Sequence, residues 1–334
     1  MTRIAFQSHP PPAAATRIRT MLAVPGPSSP SLTGAYPKPV SPPYPEMSRE
    51  VELSRALSAE ARSAAYAASA PASESAVVFE DEWFVVVNKP PGIYCETLLS
   101  SLSSRPGIKT SKSDLHLANR LDRDTSGLMV ITKSNKVAGK FVKAFTNHKV
   151  KKTYLALCVG RAPNWARIRI DSGHGRSKFG AWRVYASSDV GRALPGGSMV
   201  KQMTTSFNIL SINGRGECGD PAEVDTDDIK TVVVQEEGRE WNPDEDVEKC
   251  DEVLVRAYPE SGRTHQIRLH CQYLGMPIRG DVKYGGIHEW KGVMRDGHAL
   301  HAESISFKHP ITGDRVHFRA PHPSWVNEAC GQQF

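Results

Sequence analysis

With 334 residues and 39% apolar side chains, the chain can form one large domain with extensions or two ordinary ones, and part of its length is too polar to be core. Its six cysteines (Cys95, Cys158, Cys218, Cys250, Cys271, Cys330) include no CxxC pair, which argues against a disulfide framework and against a zinc module and points to a reducing compartment. The net charge of +6 is unevenly spread: residues 213–252 hold fifteen acidic and four basic side chains, so the rest of the chain carries +6 − (−11) = +17.

A body that positive suits a polyanionic partner, nucleic acid above all, although a basic protein that binds no polyanion has the same composition. No apolar run approaches the roughly 20 residues of a membrane helix, so a soluble protein without membrane contact is expected.

Residues 1–46 are read as a disordered Pro/Ser-rich tail or a transit segment. Eleven of the 24 prolines fall in residues 1–45, with Arg3, Arg17, Arg19 and Lys38 and no acid before Glu46. Met47 offers an alternative start. The expected address is therefore the cytoplasm, or a plastid or mitochondrion if the leader is a transit peptide. From 47 to 76 the chain is Ala-rich, and Leu53, Leu57, Ala61, Ala64 and Ala68 recur at helical spacing, predicting a helical linker.

Strand character begins at Val77-Val78-Phe79 and resumes at Trp83–Val87, which Asn88-Lys89-Pro90-Pro91-Gly92 ends. Ser134 can cap a helix with Val137, Phe141 and Phe145 on one face and Lys136, Lys140 and Lys143 on the other. A basic lead at Lys149–Lys152 opens another strand. The acidic stretch 213–252 reads as an insertion with a short strand at Val232-Val233-Val234. Strand signal returns at Val253–Tyr258, and the alternation around Thr312-Gly313 predicts a hairpin. The pattern is that of an α+β domain over 77–326, followed by a tail, 327–334.

The chemically informative stretch is LANRLDRDTSGLMVITKS, 117–134, where charges crowd a turn just before an apolar strand. An Asp before Thr-Ser-Gly ordinarily shapes a turn. Here Arg120 and Arg123 flank Asp122, and a nearby cation would hold its carboxylate ionised, fit to act as nucleophile or electrostatic stabiliser. Asp122 and Asp124 also give a weak DxDx(T/V) match to haloacid-dehalogenase phosphatases. Ser126 in the fifth place and the absence of an apolar strand before Asp122 count against it.

His265, His270 and Cys271 lack any metal-ligand spacing, so no metal is expected. Were 264–269 a strand, Thr264, Gln266 and Arg268 would share a polar face toward a cleft.

Five motifs in order, VVVNKPPGIYCETL, NRLDRDTSGLMVITKS, KKTYLALCVGR, SGRTHQIRLHCQYLGMPIRGDVKYG and LHAESISFKHPITG, resemble the RluA class of RNA pseudouridine synthases over Val77–Pro323. The resemblance implies a mixed, mostly antiparallel central sheet with flanking helices and a catalytic cleft, no cofactor, an RNA substrate, a monomer, and isomerisation of uridine to pseudouridine with base flipping. It implies that Asp122 is the catalytic aspartate, Tyr154 the active-site tyrosine and Arg268 the basic partner of the aspartate. Arg120 is expected to hold the target nucleotide out of the stack, with Thr125, Arg263, His265 and Gln266 as further substrate contacts. The chain departs from the usual HRLD motif, with Asn119 where histidine is expected. An RNA-binding protein that has lost catalysis is the rival reading.

Overall fold

The computed structural model describes residues 36–45, 48–68, 76–103, 115–216, 229–235 and 250–331. The leader before residue 36 and most of the acidic stretch (217–228 and 236–249) lie outside the described residues. In chain order the first elements are α1 (Ser48–Ala68), β1 (Val77–Glu80), β2 (Phe84–Lys89), α2 (Cys95–Ser103), β3 (His116–Leu117), β4 (Ser126–Thr132), α3 (Asn135–Thr146), β5 (Lys151–Gly160), β6 (Arg167–Arg176) and β7 (Trp182–Tyr185). They are followed by β8 (Lys201–Ile212), β9 (Arg215–Gly216), β10 (Lys230–Val233), β11 (Asp251–Pro259), α4 (Gln266–Tyr273), β12 (Glu289–Trp290), β13 (Val293–Met294), β14 (Leu300–Lys308), β15 (Arg315–Arg319) and α5 (Ser324–Ala329).

Thirteen of the strands form one sheet whose main path runs β1-β2-β4-β14-β5-β11-β8-β6-β10. Among the described residues only β4–β14 and β6–β10 pair in parallel. The sheet is thus mixed and mostly antiparallel, as expected. Among the described residues no helix is long and apolar enough to cross a membrane.

Period-two alternation explains the valine-rich run of β2. Val85 and Val87 pack with Met129 and Ile131 of β4 against Leu98 and Leu102 of α2. Phe84 and Val86, facing the other way, meet Leu128, Val130, Phe307 and the Val137–Phe141 stripe of α3. Ser134 caps α3, accepting the Val137 N–H at 3.4 Å, and the helix buries only Val137 and Phe141. At the far half of the sheet, α4 and α5 cover β5, β8 and β11 through Leu269, Cys271, Trp325 and Val326.

The parallel β4–β14 seam depends on Gly127. It pairs with Ala302 at φ +107°, and a Cβ there would collide with the Ala302 backbone. This close approach pins the strand that carries the Asp122 loop.

Three expectations shift. Residues 264–269 are not a strand: His265 takes a left-handed conformation (φ 58°, ψ 23°) and α4 starts at Gln266, so the proposed alternation of faces does not hold. The expected boundary at residue 46 moves to Tyr36, since Val40 N–H donates to the Val184 carbonyl at 2.9 Å and Ser41 Oγ accepts from Val184 N–H at 3.1 Å. Nor is α1 a mere linker. Its buried Arg55 donates to the carbonyls of Gly280 (2.5 Å) and Arg295 (2.8 Å), and Arg62 pairs with Asp296.

Candidate active site

The loop 118–125 joins β3 to β4, and its shape is set from below. Ala118 N–H donates to the Val130 carbonyl at 2.9 Å, and the Asn119 Oδ1 accepts the Val130 N–H at 2.8 Å. A turn follows in which Thr125 N–H reaches the Asp122 carbonyl at 3.1 Å. The fully buried Lys89 at the end of β2 completes the clamp, donating from Nζ to the carbonyls of Pro90, Ile93 and Arg123 at 2.9, 2.9 and 2.8 Å. Three carbonyls satisfy all three ammonium protons, so burial is tolerated, though it lowers the Lys89 pKa to about 8. Arg123 turns back onto Asp124 with both ends of its guanidinium (2.8 and 2.7 Å), neutralising the second aspartate inside the protein.

Asp122 is left facing a cleft of about 930 Å³. Its Oδ2 accepts Arg268 Nη1 at 2.8 Å, and His265 Nε2 lies 3.8 Å away. Burial alone would push the carboxyl up, but the charge of Arg268 outweighs it and holds the group well below the usual carboxylate range. Arg268 is fixed in turn by Asp281, which accepts Nε at 2.7 Å and Nη2 at 2.8 Å, while Tyr284 lies under the guanidinium at 4.9 Å. The Tyr284 hydroxyl bonds His265 Nδ1 at 2.7 Å and Tyr44 Oη at 3.3 Å. Burial and then Arg268 lower the His265 pKa to about 3, so that imidazole is neutral.

Tyr154, on β5, lines the same cleft beside Asp122. Burial, reinforced by the Asp122 charge, raises its phenol pKa, so the ring meets the cleft uncharged. Lys152, Arg263 and Lys283 complete a cationic lining, partly offset by Glu52 and Glu96. Arg120 stands at the rim, 72% exposed, with Nη2 3.0 Å from Glu96.

Of the residues singled out from the sequence, Asp122, Tyr154, Arg268, Arg120, Arg263 and His265 line this one cleft. Thr125 and Gln266 line a smaller pocket with Asp122, Tyr154 and Arg268, and both also hold hydrogen bonds within the protein. The Thr125 hydroxyl is buried against His298 Nε2 at 2.7 Å. Gln266 spends its amide internally, accepting from Ser261 Oγ (2.7 Å) and Arg263 N–H (3.0 Å) and donating to Thr204 O (2.7 Å) and Thr205 Oγ1 (3.0 Å). Sequence reasoning missed Lys89, Asp281 and Tyr284. The first is signalled only by a lysine ending an apolar strand, the others only by their place in the GDVKYG run.

Among the described residues no cluster of three or more His, Cys, Asp or Glu side chains is arranged to hold a metal. The site instead offers a fixed anion with its counter-cation, an aromatic ring beside it and a basic approach. That is equipment for handling a base and its sugar-phosphate backbone.

A family model described as RNA pseudouridylate synthase matches residues 83–273. The chain belongs to that family, whose members isomerise uridine to pseudouridine in RNA. It is 64% identical over 301 residues to RNA pseudouridine synthase 1 of Oryza sativa subsp. japonica, covering 89% of this chain and 85% of the relative. The protein of the same name from Arabidopsis thaliana is 53% identical, with 87% of each chain covered. Ribosomal large subunit pseudouridine synthase C of Pasteurella multocida is 30% identical over 74% of this chain and 64% of its own. In fold, human RNA pseudouridylate synthase domain containing 4 is similar at a TM-score of 0.51 and 19% identity, over 84% of this chain and 97% of that one.

Proposed function

We propose that Asp122 is the catalytic carboxylate of this isomerase and that the target uridine is flipped into the cleft, with its base against Tyr154. The observation that carries this reading is the Asp122–Arg268 pair at 2.8 Å, an ionised carboxylate facing an open, cation-lined cleft rather than a sealed core. In the reaction the bond from ribose C1′ to N1 of uracil breaks, the base turns, and C1′ bonds C5, which releases its hydrogen to water. Asp122 either attacks C1′, forming a sugar ester that the turned base displaces, or assists formation of an unsaturated sugar. Both routes need the carboxylate ionised, which Arg268 favours.

Extruding a nucleotide costs a few kcal/mol, which stacking on an aromatic ring and binding of the backbone offset. Arg120, exposed and at the rim, is suited to fill the vacated place or grip phosphate. Asn119 supports an intact site, because its side chain already performs the loop-anchoring hydrogen bond that a histidine could make.

The test is tritium release from bulk cellular RNA labelled at C5 of uracil, with wild type and Asp122→Ala. Release by the wild type alone supports the proposal. Release by both reassigns the carboxylate. Binding of RNA without release by either returns the inactive binding protein as the better account.

A further inference from the structure

The β6–β7 hairpin lies outside the cleft lining, yet its composition is that of a nucleic-acid contact. Residues 174–183, HGRSKFGAWR, hold three cations, two large aromatic rings and no acid. At its tip Phe179 is 85% exposed, the most exposed of the large apolar side chains among the described residues, and Lys178 Nζ sits 4.8 Å from its ring centre. An isolated apolar residue on a surface needs no explanation. This one sits on a hydrogen-bonded turn. Gly180 (φ +82°) turns the chain, its N–H reaching the Ser177 carbonyl at 2.9 Å and its own carbonyl accepting Arg176 Nε at 3.1 Å.

Behind the tip is a second aromatic layer. Arg176 lies 5.2 Å from the Trp182 ring, and that ring stacks on His174 at 4.8 Å and 13°. His174 bonds the Thr264 carbonyl through Nε2 at 3.0 Å, and Thr264 lines the cleft. On the other side, Trp182 N–H donates to Tyr44 Oη at 3.2 Å, and Tyr44 leads through Tyr284 to His265 beside Asp122. The hairpin is thus braced against the cleft wall by two separate hydrogen-bonded connections. An exposed aromatic tip carrying cations, on a hairpin whose stem is hydrogen-bonded to the cleft wall, presents a face to stack a base and charges to meet the flanking phosphates.

We propose that the β6–β7 hairpin is a second RNA-binding site, in which Phe179 stacks an unpaired base of the strand flanking the target uridine while Arg176 and Lys178 engage its phosphates. This rests on the reading of the cleft as the site of uridine isomerisation. It adds that the substrate must offer a single-stranded nucleotide beside its target, because a paired base has no free face for Phe179.

The test uses the full chain and fluorescence anisotropy with a labelled single-stranded oligouridylate and a blunt RNA duplex of equal length. Phe179→Ala is expected to weaken single-strand binding roughly five- to hundred-fold, the range for one base–aromatic stack, and to leave duplex binding unchanged. Phe179→Trp should restore it. Lys178→Gln should weaken both ligands and lower the salt slope by about one. Equal loss on duplex and single strand, no loss on the single strand, or a wild type that does not hold the oligouridylate would each overturn the proposal. Failure of tritium release by the wild type would strike the catalytic reading while this comparison still reports on Phe179.

Discussion

Asp281 holds Arg268 through two hydrogen bonds, 2.7 Å to Nε and 2.8 Å to Nη2, and so leaves Nη1 to aim at Asp122. Both members of the pair are buried, and removing one leaves the other charge unmatched. Asp281→Ala is therefore expected to lower stability by about 3–5 kcal/mol in urea unfolding. It should also depress tritium release, because Arg268 loses its aim. An unchanged denaturation midpoint together with unchanged release would show that Asp281 does not position Arg268.

Lys89 works from the opposite side of the site. In Lys89→Met the stem remains while the carbonyls of Pro90, Ile93 and Arg123 lose their donor. The expected loss is on the order of 1–3 kcal/mol for each acceptor left dry, reduced where water can enter. Since Arg123 adjoins Asp122, the maximal rate should fall more than RNA affinity does. Single-turnover rates and binding constants, measured on the same variant, separate the two.

Asn119 is expected to be replaceable by histidine and not by alanine. A histidine ring nitrogen can accept the Val130 N–H that Asn119 Oδ1 accepts at 2.8 Å, whereas alanine leaves that donor unpaired. Asn119→His should retain most of the tritium release. Asn119→Ala should lose about 1–3 kcal/mol and much of the rate. A titrating role for this position would show instead as a new pH limb in the histidine variant.

Stability should depend on pH through buried histidines. Burial lowers the pKa of His174, His298 and His301 to about 4 and of His265 and His270 to about 3, against an ordinary 6.5. Each stays neutral in the folded protein over the window from its lowered value up to 6.5 but gains a proton on unfolding. The unfolded chain then binds more protons, and stability rises with pH across that window. Each group adds up to about 1.4 kcal/mol per pH unit there. Asp122 has the depressed carboxyl, so its contribution is present above its ordinary 3.8 and lost below it. Thermal unfolding followed from pH 7.5 to 4.5 should show a steadily falling Tm, and a flat profile would mean that these imidazoles are hydrated or charged when folded.

Elements whose stabilisation is local were legible in the sequence. Ser134 with Val137 and Phe141 announces α3, and the alternation from Leu300 to Arg319 announces the hairpin that the structure contains. The start of α4 was not legible, because the cap position holds His265, which makes no side-chain cap bond; it enters in the left-handed region, held by Tyr284 from nineteen residues away. Thr125 and Gln266 carry side chains that suit a substrate as well as they suit a wall, and the sequence does not disclose the distant internal partners they have. Asp281 was hidden for a related reason. An aspartate in a Gly-Asp turn looks like any other until the fold sets Arg268 over it.

The segment Tyr36–Pro45 sets a limit on how the chain can mature. Val40 extends the edge of β7, Ser41 bonds the Val184 N–H, and Tyr44 ends in the hydroxyl pair that reaches His265. A processing cut just before Tyr36 spares all of these contacts. A product that begins at Met47 loses every one of them, including the outermost support of the imidazole beside Asp122. A chain translated from the internal methionine would therefore keep Tyr284 on His265 but lack the Tyr44 hydroxyl behind it.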